Sequence, residues 1–267
     1  MLNIFWRTIK EKKWSTIIYS LAGLVFLWLY VALFPTVQES ATNVSQLVKN
    51  LPPGLNKAFG LDAKSFTTFE GFIAGKHYSL VWPILLIGLV ASLGSAFLAG
   101  EIEKGTIGIL LSQPLSRAKI FLGKFMAGIF CIIIFVIISV LSVFPLAKVY
   151  GIAYQSENQL TLALVGFVFG LAILGLSMFF SAIFSEKGKA TFTVVGILIV
   201  MYFVNIIALL KDNLDKLKYF SFFYYFNYSD ILIHNIIDNW SWWVFGGAFL
   251  VGSLLALIWF NQRDVAI

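Results

Sequence analysis

Charge is scarce in this sequence. Asp, Glu, Lys and Arg make up 12% of its 267 residues, where a soluble domain carries roughly 25%. Hydrophobic residues make up 60%, so a fold in water would have almost no polar surface to show, and a soluble enzyme is excluded. Cys131 is the only cysteine, which rules out a disulfide within the chain and argues against a cysteine-based metal site. Histidine is limited to His77 and His234, far apart in polar segments and expected to be solvated in loops. At this length one membrane domain with its loops leaves no room for a separate catalytic domain.

What the sequence has in plenty is long apolar runs. A spanning helix needs about 20 mostly apolar residues, and six runs qualify: about 16–35, 78–99, 121–147, 160–184, 190–210 and 242–260. The expected fold is an all-α integral membrane protein, one transmembrane domain over 1–267 with six spans. Aromatics, at 17%, suit lipid contact and membrane interfaces. The first run follows Arg7, Lys10, Lys12 and Lys13 as a leader would, but it is too long and lacks a small-residue cleavage site, so it reads as a retained helix. The third run is long enough to tilt, or is broken near its end by Pro145.

Orientation follows from the basic residues. With the N-terminus in the cytoplasm, the inside segments hold eleven of the 19 Lys and Arg and five of the 13 acids. The outside segments hold eight of each, so the whole net charge of +6 lies inside and both termini are expected in the cytoplasm. Residues 1–15 carry Leu2, Phe5, Trp6 and Ile9 at i, i+3, i+4 and i+7, which predicts an amphipathic helix lying in the cytoplasmic interface. Two longer segments, about 36–77 and 211–241, lie outside. The aromatic run Tyr219–Tyr228 in the second is either a re-entrant helix or an aromatic belt. Asn43, Asn227 and Asn239 begin matches to the glycosylation sequon, relevant only in a eukaryotic secretory pathway.

The interiors of the six runs contain no Asp, Glu, Lys, Arg or His, and Lys124 stands only at the start of the third, where it can snorkel. Ion-coupled transport and acid–base chemistry both want ionisable groups at membrane depth. Energy for uphill movement must therefore come from another chain. Gly100–Thr106 has the outer glycine spacing of a phosphate-binding loop, but Thr106 stands where the lysine belongs, and Glu101 and Glu103 would repel a triphosphate.

The loop between the second and third runs, about 100–120, is unusual for a connector. Glu101 and Glu103 follow a helix C-terminus, where the dipole disfavours anions by about 0.3–1 kcal/mol each, which calls for a cationic partner. Thr106 is placed to N-cap a short helix whose apolar face is Ile107, Leu110 and Leu111; Pro114 ends it and Ser116 caps the next helix. On spacing alone that face either docks in a partner's groove or lies on the membrane.

The run Glu101-x-Glu103-x-Gly105-Thr106, then Leu110-Leu111-Ser112-x-Pro114-x-Ser116-Arg117 with Lys124 shortly after, resembles the cytoplasmic loop of type-2 ATP-binding-cassette (ABC) exporter permeases. The ending Phe260-x-x-Arg263-Asp264-Val265 is similar to that family's ending, and the resemblance covers essentially the whole chain. It implies a non-catalytic permease subunit in a bacterial or archaeal plasma membrane. It would pair with a second copy or a paralogue and bind two cytosolic ATPase subunits, which hold the ATP and Mg; this chain would hold no cofactor or metal. The short loop helix would be the coupling helix, with Glu101, Glu103, Gly105, Thr106, Ile107, Leu110, Leu111, Pro114, Ser116 and Arg117 at the ATPase contact. By the same analogy the second and fifth spans line the substrate path with Trp82, Ser92, Ser95, Tyr202 and Asn205, for a hydrophobic or amphipathic substrate. Gly166-x-x-x-Gly170 permits close helix packing, expected within one chain. The rival readings are a nucleotide-independent transporter or channel and a non-transporting docking scaffold.

Overall fold

The computed structural model describes residues 1–39 and 68–263, so the Asn43 sequon and the terminal Asp264 and Val265 lie outside the described residues. In chain order the elements are α1 (Leu2–Glu39), α2 (Phe69–Phe97), the short α3 (Ala99–Glu103) and α4 (Ile107–Leu111), α5 (Arg117–Val149), α6 (Ser156–Ile183), α7 (Lys187–Leu210), a 3₁₀ segment (Asp212–Phe220), the short α8 (Phe222–Tyr225) and α9 (Tyr228–His234), and α10 (Asn239–Gln262). Among the described residues there is no strand. Six helices, α1, α2, α5, α6, α7 and α10, are long and apolar enough to cross a membrane.

The segment expected to form a separate interfacial helix is the beginning of α1, which runs unbroken for 38 residues. No glycine or proline separates Lys13 from Thr16, so nothing stops the helix there. Of the apolar face expected to meet the membrane interface, Leu2 and Trp6 are exposed and Phe5 and Ile9 half-buried, while Ile4 and Thr8 turn to the bundle and are buried.

Both α2 and α5 contain wide π turns, at Ala74–Val81 and Ile137–Leu141. Each comes just before a proline. Pro83 is the second residue of the regular stretch Trp82–Phe97, and Pro145 the third of Val143–Val149. A proline has no N–H to donate and fits best in the first turn of a helix. Shifting the hydrogen-bond register ahead of it lets the rod continue without a full break. The Pro145 break expected from sequence is thus a change of register. The longer α2 also takes in His77, which is fully buried rather than solvated in a loop. His234 is exposed, as expected.

The centre of the bundle is α6, flanked by α2. In its most apolar stretch 67% of α6 is buried inside the protein, against 17% for α7 and for α10. Small residues let the helices approach. A Cβ on Gly166 would fall 2.6 Å from the Trp82 ring, and one on Gly170 would fall 2.9 Å from Ile132, so this pair packs within the chain. Backbone meets backbone where α6 joins α10: a Cβ on Gly252 would stand 2.7 Å from the backbone of Gly175. Within the aromatic run, Tyr219 and Phe220 stay exposed on the 3₁₀ segment, while α8 and the turn to α9 are tucked into the bundle, with the fully buried Phe226 stacked against Trp82 and Phe169 at 5.4 and 4.9 Å. Polar ties hold it there: Ser221 Oγ donates to Met201 O at 2.8 Å, Ser241 Oγ to Tyr225 O at 2.9 Å, and Asn158 Nδ2 to Leu232 O at 2.7 Å.

This packing makes Gly252 a sensitive position. Gly252→Val is expected to wedge α10 off α6 and lower stability by about 1–3 kcal/mol or more, the usual result of overpacking. Gly247→Ala, where a Cβ meets nothing within 4 Å, should be neutral. Thermal unfolding in mild detergent compares the two; equal midpoints would contradict the seam.

Candidate functional site

The site is built where α2 stops. Leu98, with φ −119° and ψ −61°, breaks the helix, and the hydroxyl of Ser181 on α6 fills the gap. Ser181 Oγ accepts from the N–H groups of Leu98 and Ala99, at 3.2 and 3.0 Å, and donates to Ser95 O at 2.9 Å. One side chain thereby replaces the missing helical bonds and ties α3 to the central helix.

A left-handed glycine closes α3. Gly105 has φ +69°, its N–H donates to Ile102 O at 3.0 Å, and the Thr106 N–H donates to Glu101 O at 2.9 Å. This pair of bonds is a Schellman closure, which needs a residue free to take positive φ and so explains the glycine of the motif. It reverses the chain directly into α4.

Glu101 and Lys124 lock the turn to α5. Lys124 Nζ lies 2.5 Å from Glu101 Oε1, with the two side chains 4% and 10% exposed. The Thr106 hydroxyl donates to the other carboxylate oxygen. Lys124 therefore does not snorkel: its charge is drawn inward by the cationic-partner requirement at Glu101. Burial pushes the Glu101 pKa up, but the Lys124 charge and the hydrogen bonds from Lys124 and Thr106 outweigh it and hold the carboxyl below its ordinary 4.5. Thr106 occupies the N-cap position of α4 without capping it, because its hydroxyl is engaged by Glu101. Ser116 does cap α5, accepting from the Lys119 N–H at 3.3 Å.

The other acid and the arginine of the motif are also engaged within the chain. Glu103 Oε2 accepts from the Lys187 N–H at 2.7 Å, satisfying the first turn of α7. Arg117 Nη1 donates to the carbonyls of Phe260 and Arg263 at 2.9 and 2.5 Å, capping the end of α10. Arg263 caps α6, donating to Ala182 O at 2.6 Å, Phe184 O at 3.1 Å and Ser185 Oγ at 2.6 Å. Guanidinium groups at helix C-termini complement the dipole and the unpaired carbonyls together. Six side chains, Ser181, Glu101, Lys124, Glu103, Arg117 and Arg263, thus join the ends of α2, α5, α6, α7 and α10 into one plate.

The expected docking face is therefore redrawn. Ile107 and Leu110 are 3% and 2% exposed and belong to the core, and Leu111 is half-buried. The face of α4 open to a partner is Ile109, 63% exposed, continued by Ser112, Gln113 and Pro114, with Glu103, Lys104 and Gly105 beside it. Ser181 and Arg263 gave no sequence signal of these roles, since their partners lie about eighty residues away.

The substrate-path residues separate. A cleft of about 440 Å³ lies between α2 and α7, lined by Leu80, Pro83, Ile87, Val195, Ile199 and Tyr202 among others, and it is almost wholly apolar. Tyr202 alone of the five expected residues lines it. Trp82 is fully buried and donates to Ser139 Oγ at 2.8 Å, and Ser95 is fully buried as well. Ser92 and Asn205 are half-buried away from the cleft lining. Among the described residues no cluster of His, Cys, Asp or Glu could hold a metal.

The described residues thus form a bundle of membrane-length helices with a clamped short helix at one end and an apolar cleft in its wall. A family model described as "ABC-2 family transporter protein" matches residues 7–265, so the chain belongs to that family and is a permease of an ABC transporter. A comparison with curated proteins finds no match.

The ion pair is open to test. Lys124→Met should cost about 3–5 kcal/mol, because it leaves Glu101 buried without a partner, while Glu101→Leu with Lys124→Met should recover most of the loss. The depressed Glu101 pKa adds a pH signature. Its stabilisation is complete above the ordinary value of 4.5 and is lost as pH falls through the lower folded value, so the double variant should lack that acid-linked slope. A double variant as unstable as the single one would sink the assignment.

Proposed function

We propose that this permease is the membrane subunit of an ATP-driven exporter and that α4 is the coupling helix on which a cytosolic ATPase acts. The observation that carries the reading is the combination in α4 of a rigid mount and a free face. Ile107 and Leu110 anchor the helix in the core, and the Schellman turn and the Glu101–Lys124 pair fix its approach. Ile109 is left outward for a partner's groove. A handle that swivelled freely would dissipate the partner's motion.

In this reading two ATPase chains bind and hydrolyse ATP with Mg, and a second permease copy or a paralogue completes the complex. In the same reading α3, α4 and both termini lie in the cytoplasm, which the excess of basic residues in those segments supports, and the membrane is a bacterial or archaeal plasma membrane. Closure of the ATPase pair displaces α4, and the plate of tied helix ends carries that displacement to α2, α5, α6, α7 and α10 together. This suits a rigid-body switch between inward- and outward-facing states. The apolar cleft between α2 and α7 supports a hydrophobic or amphipathic substrate.

Ile109→Asp should reduce co-purification of the ATPase about ten-fold, the value of ~1.4 kcal/mol at a buried interface side chain, without moving the melting temperature. The pull-down uses tagged permease from mild detergent, co-expressed with its neighbouring genes. Undiminished ATPase recovery with Ile109→Asp would remove α4 from the contact, and a wild-type chain that recovers no ATPase would overturn the reading itself.

A further inference from the structure

The outward side of α1 changes character along a single stripe. Ile17, Leu21, Val25 and Trp28 are all exposed, forming a wholly apolar run that suits acyl chains. At the helix repeat, the same stripe continues towards the N-terminus as Trp14, Lys13, Lys10 and Trp6. Trp14 and Trp6 are 65% and 55% exposed. Asn3, Trp6, Arg7, Lys10 and Glu11 form an open, shallow surface here. Arg7 is already bound to Glu11, at 2.8 Å. The uncompensated positive charge is on Lys10 and Lys13, which are exposed and form no ion pair among the described residues.

The lengths match a leaflet. From Ile17 to Trp28 the exposed apolar stripe is ~16 Å long, about half of the ~30 Å hydrocarbon core. Lys13 and Lys10 stand ~6 and ~10 Å before Ile17, at headgroup depth, and each reaches further along its flexible stem. Trp14 lies between them and the apolar run, where an indole ring favours the interface. Lys13 Nζ sits 5.5 Å from the centre of that ring, so the ammonium is held beside it. Leu2 and Trp6, exposed on the same side, favour a tilted α1 that keeps this stripe against lipid.

We infer that this stripe is a binding site for an anionic phospholipid. Its acyl chains lie along Ile17, Leu21 and Val25, and its phosphate is held by Lys13 and Lys10 beside Trp14. A zwitterionic headgroup carries its own cation and gains less from two free ammonium groups. The inference stands apart from the ATPase reading and needs only that α1 spans the membrane.

The test is native mass spectrometry of the detergent-purified chain, titrated with phosphatidylglycerol or with phosphatidylcholine of the same acyl chains. The wild type should favour phosphatidylglycerol at least ten-fold. Lys10→Gln with Lys13→Gln should lower its affinity for phosphatidylglycerol by about five-fold per lysine, with the melting temperature unchanged. Lys216→Gln, an exposed lysine at the opposite end of the bundle, should change nothing. Inorganic phosphate at equal concentration should not displace the lipid. Equal binding of the two lipids, displacement by phosphate, or an undiminished preference in the double variant would each overturn the site. If the double variant keeps its lipid preference but loses ATPase co-purification, the stripe is a protein contact instead.

Discussion

A carboxylate and an ammonium with almost no access to water have to be held by one another, and in this permease that pair governs the architecture of one end. Glu101 and Lys124 meet 2.5 Å apart where α3 leaves α2 and α5 enters the bundle. Without Lys124 the acid would face both a helix C-terminus and an apolar interior. Without Glu101 the lysine would be driven out towards water and would take the start of α5 with it. The pair fixes the distance between two spans, and the Schellman turn at Gly105 fixes the direction of the segment between them. The placement of α4 depends on both.

The other polar side chains at this end follow the same logic. Each satisfies backbone groups that a helix terminus leaves unpaired: Ser181 at the break of α2, Glu103 at the start of α7, Arg117 at the end of α10 and Arg263 at the end of α6. In a bundle with so little charge, nearly all the charge of the loop motif is used internally. Its contribution to a partner contact is then indirect. The acids and the arginine hold α4 in position, and the neutral face of Ile109, Gln113 and Pro114 is what remains to be touched.

Elsewhere the bundle is adjusted by close approach. Glycine against glycine at 175 and 252 brings α6 and α10 into backbone contact, and glycine against Trp82 at 166 lets a large ring pack in the centre. The two π turns perform a related task along the helix axis. They move the hydrogen-bond register so that Pro83 and Pro145 fall where no N–H is needed. Phe226 closes the far side by stacking on Trp82 and Phe169, so a segment whose role was open in the sequence becomes part of the packed interior.

Composition and periodicity by themselves determined that the chain is a helical membrane protein, how many spans it has, and where they lie to within several residues. These follow from apolar runs long enough for a bilayer, and that signal is local. The loop motif was legible too, as was the need of Glu101 for a cation, because a helix dipole acts on its own last turn. What only the tertiary structure decided is which side of each element faces inward. The run Ile107, Leu110 and Leu111 has the same spacing whether it meets a partner or its own core, and packing against the bundle settled it inward, leaving Ile109 outside. His77, Trp82 and Ser95 became interior for the same reason, and Arg263 found its carbonyls some eighty residues away. Helical periodicity sets which residues share a face; the neighbour that face meets is fixed by contacts distant in sequence, and no local pattern encodes them.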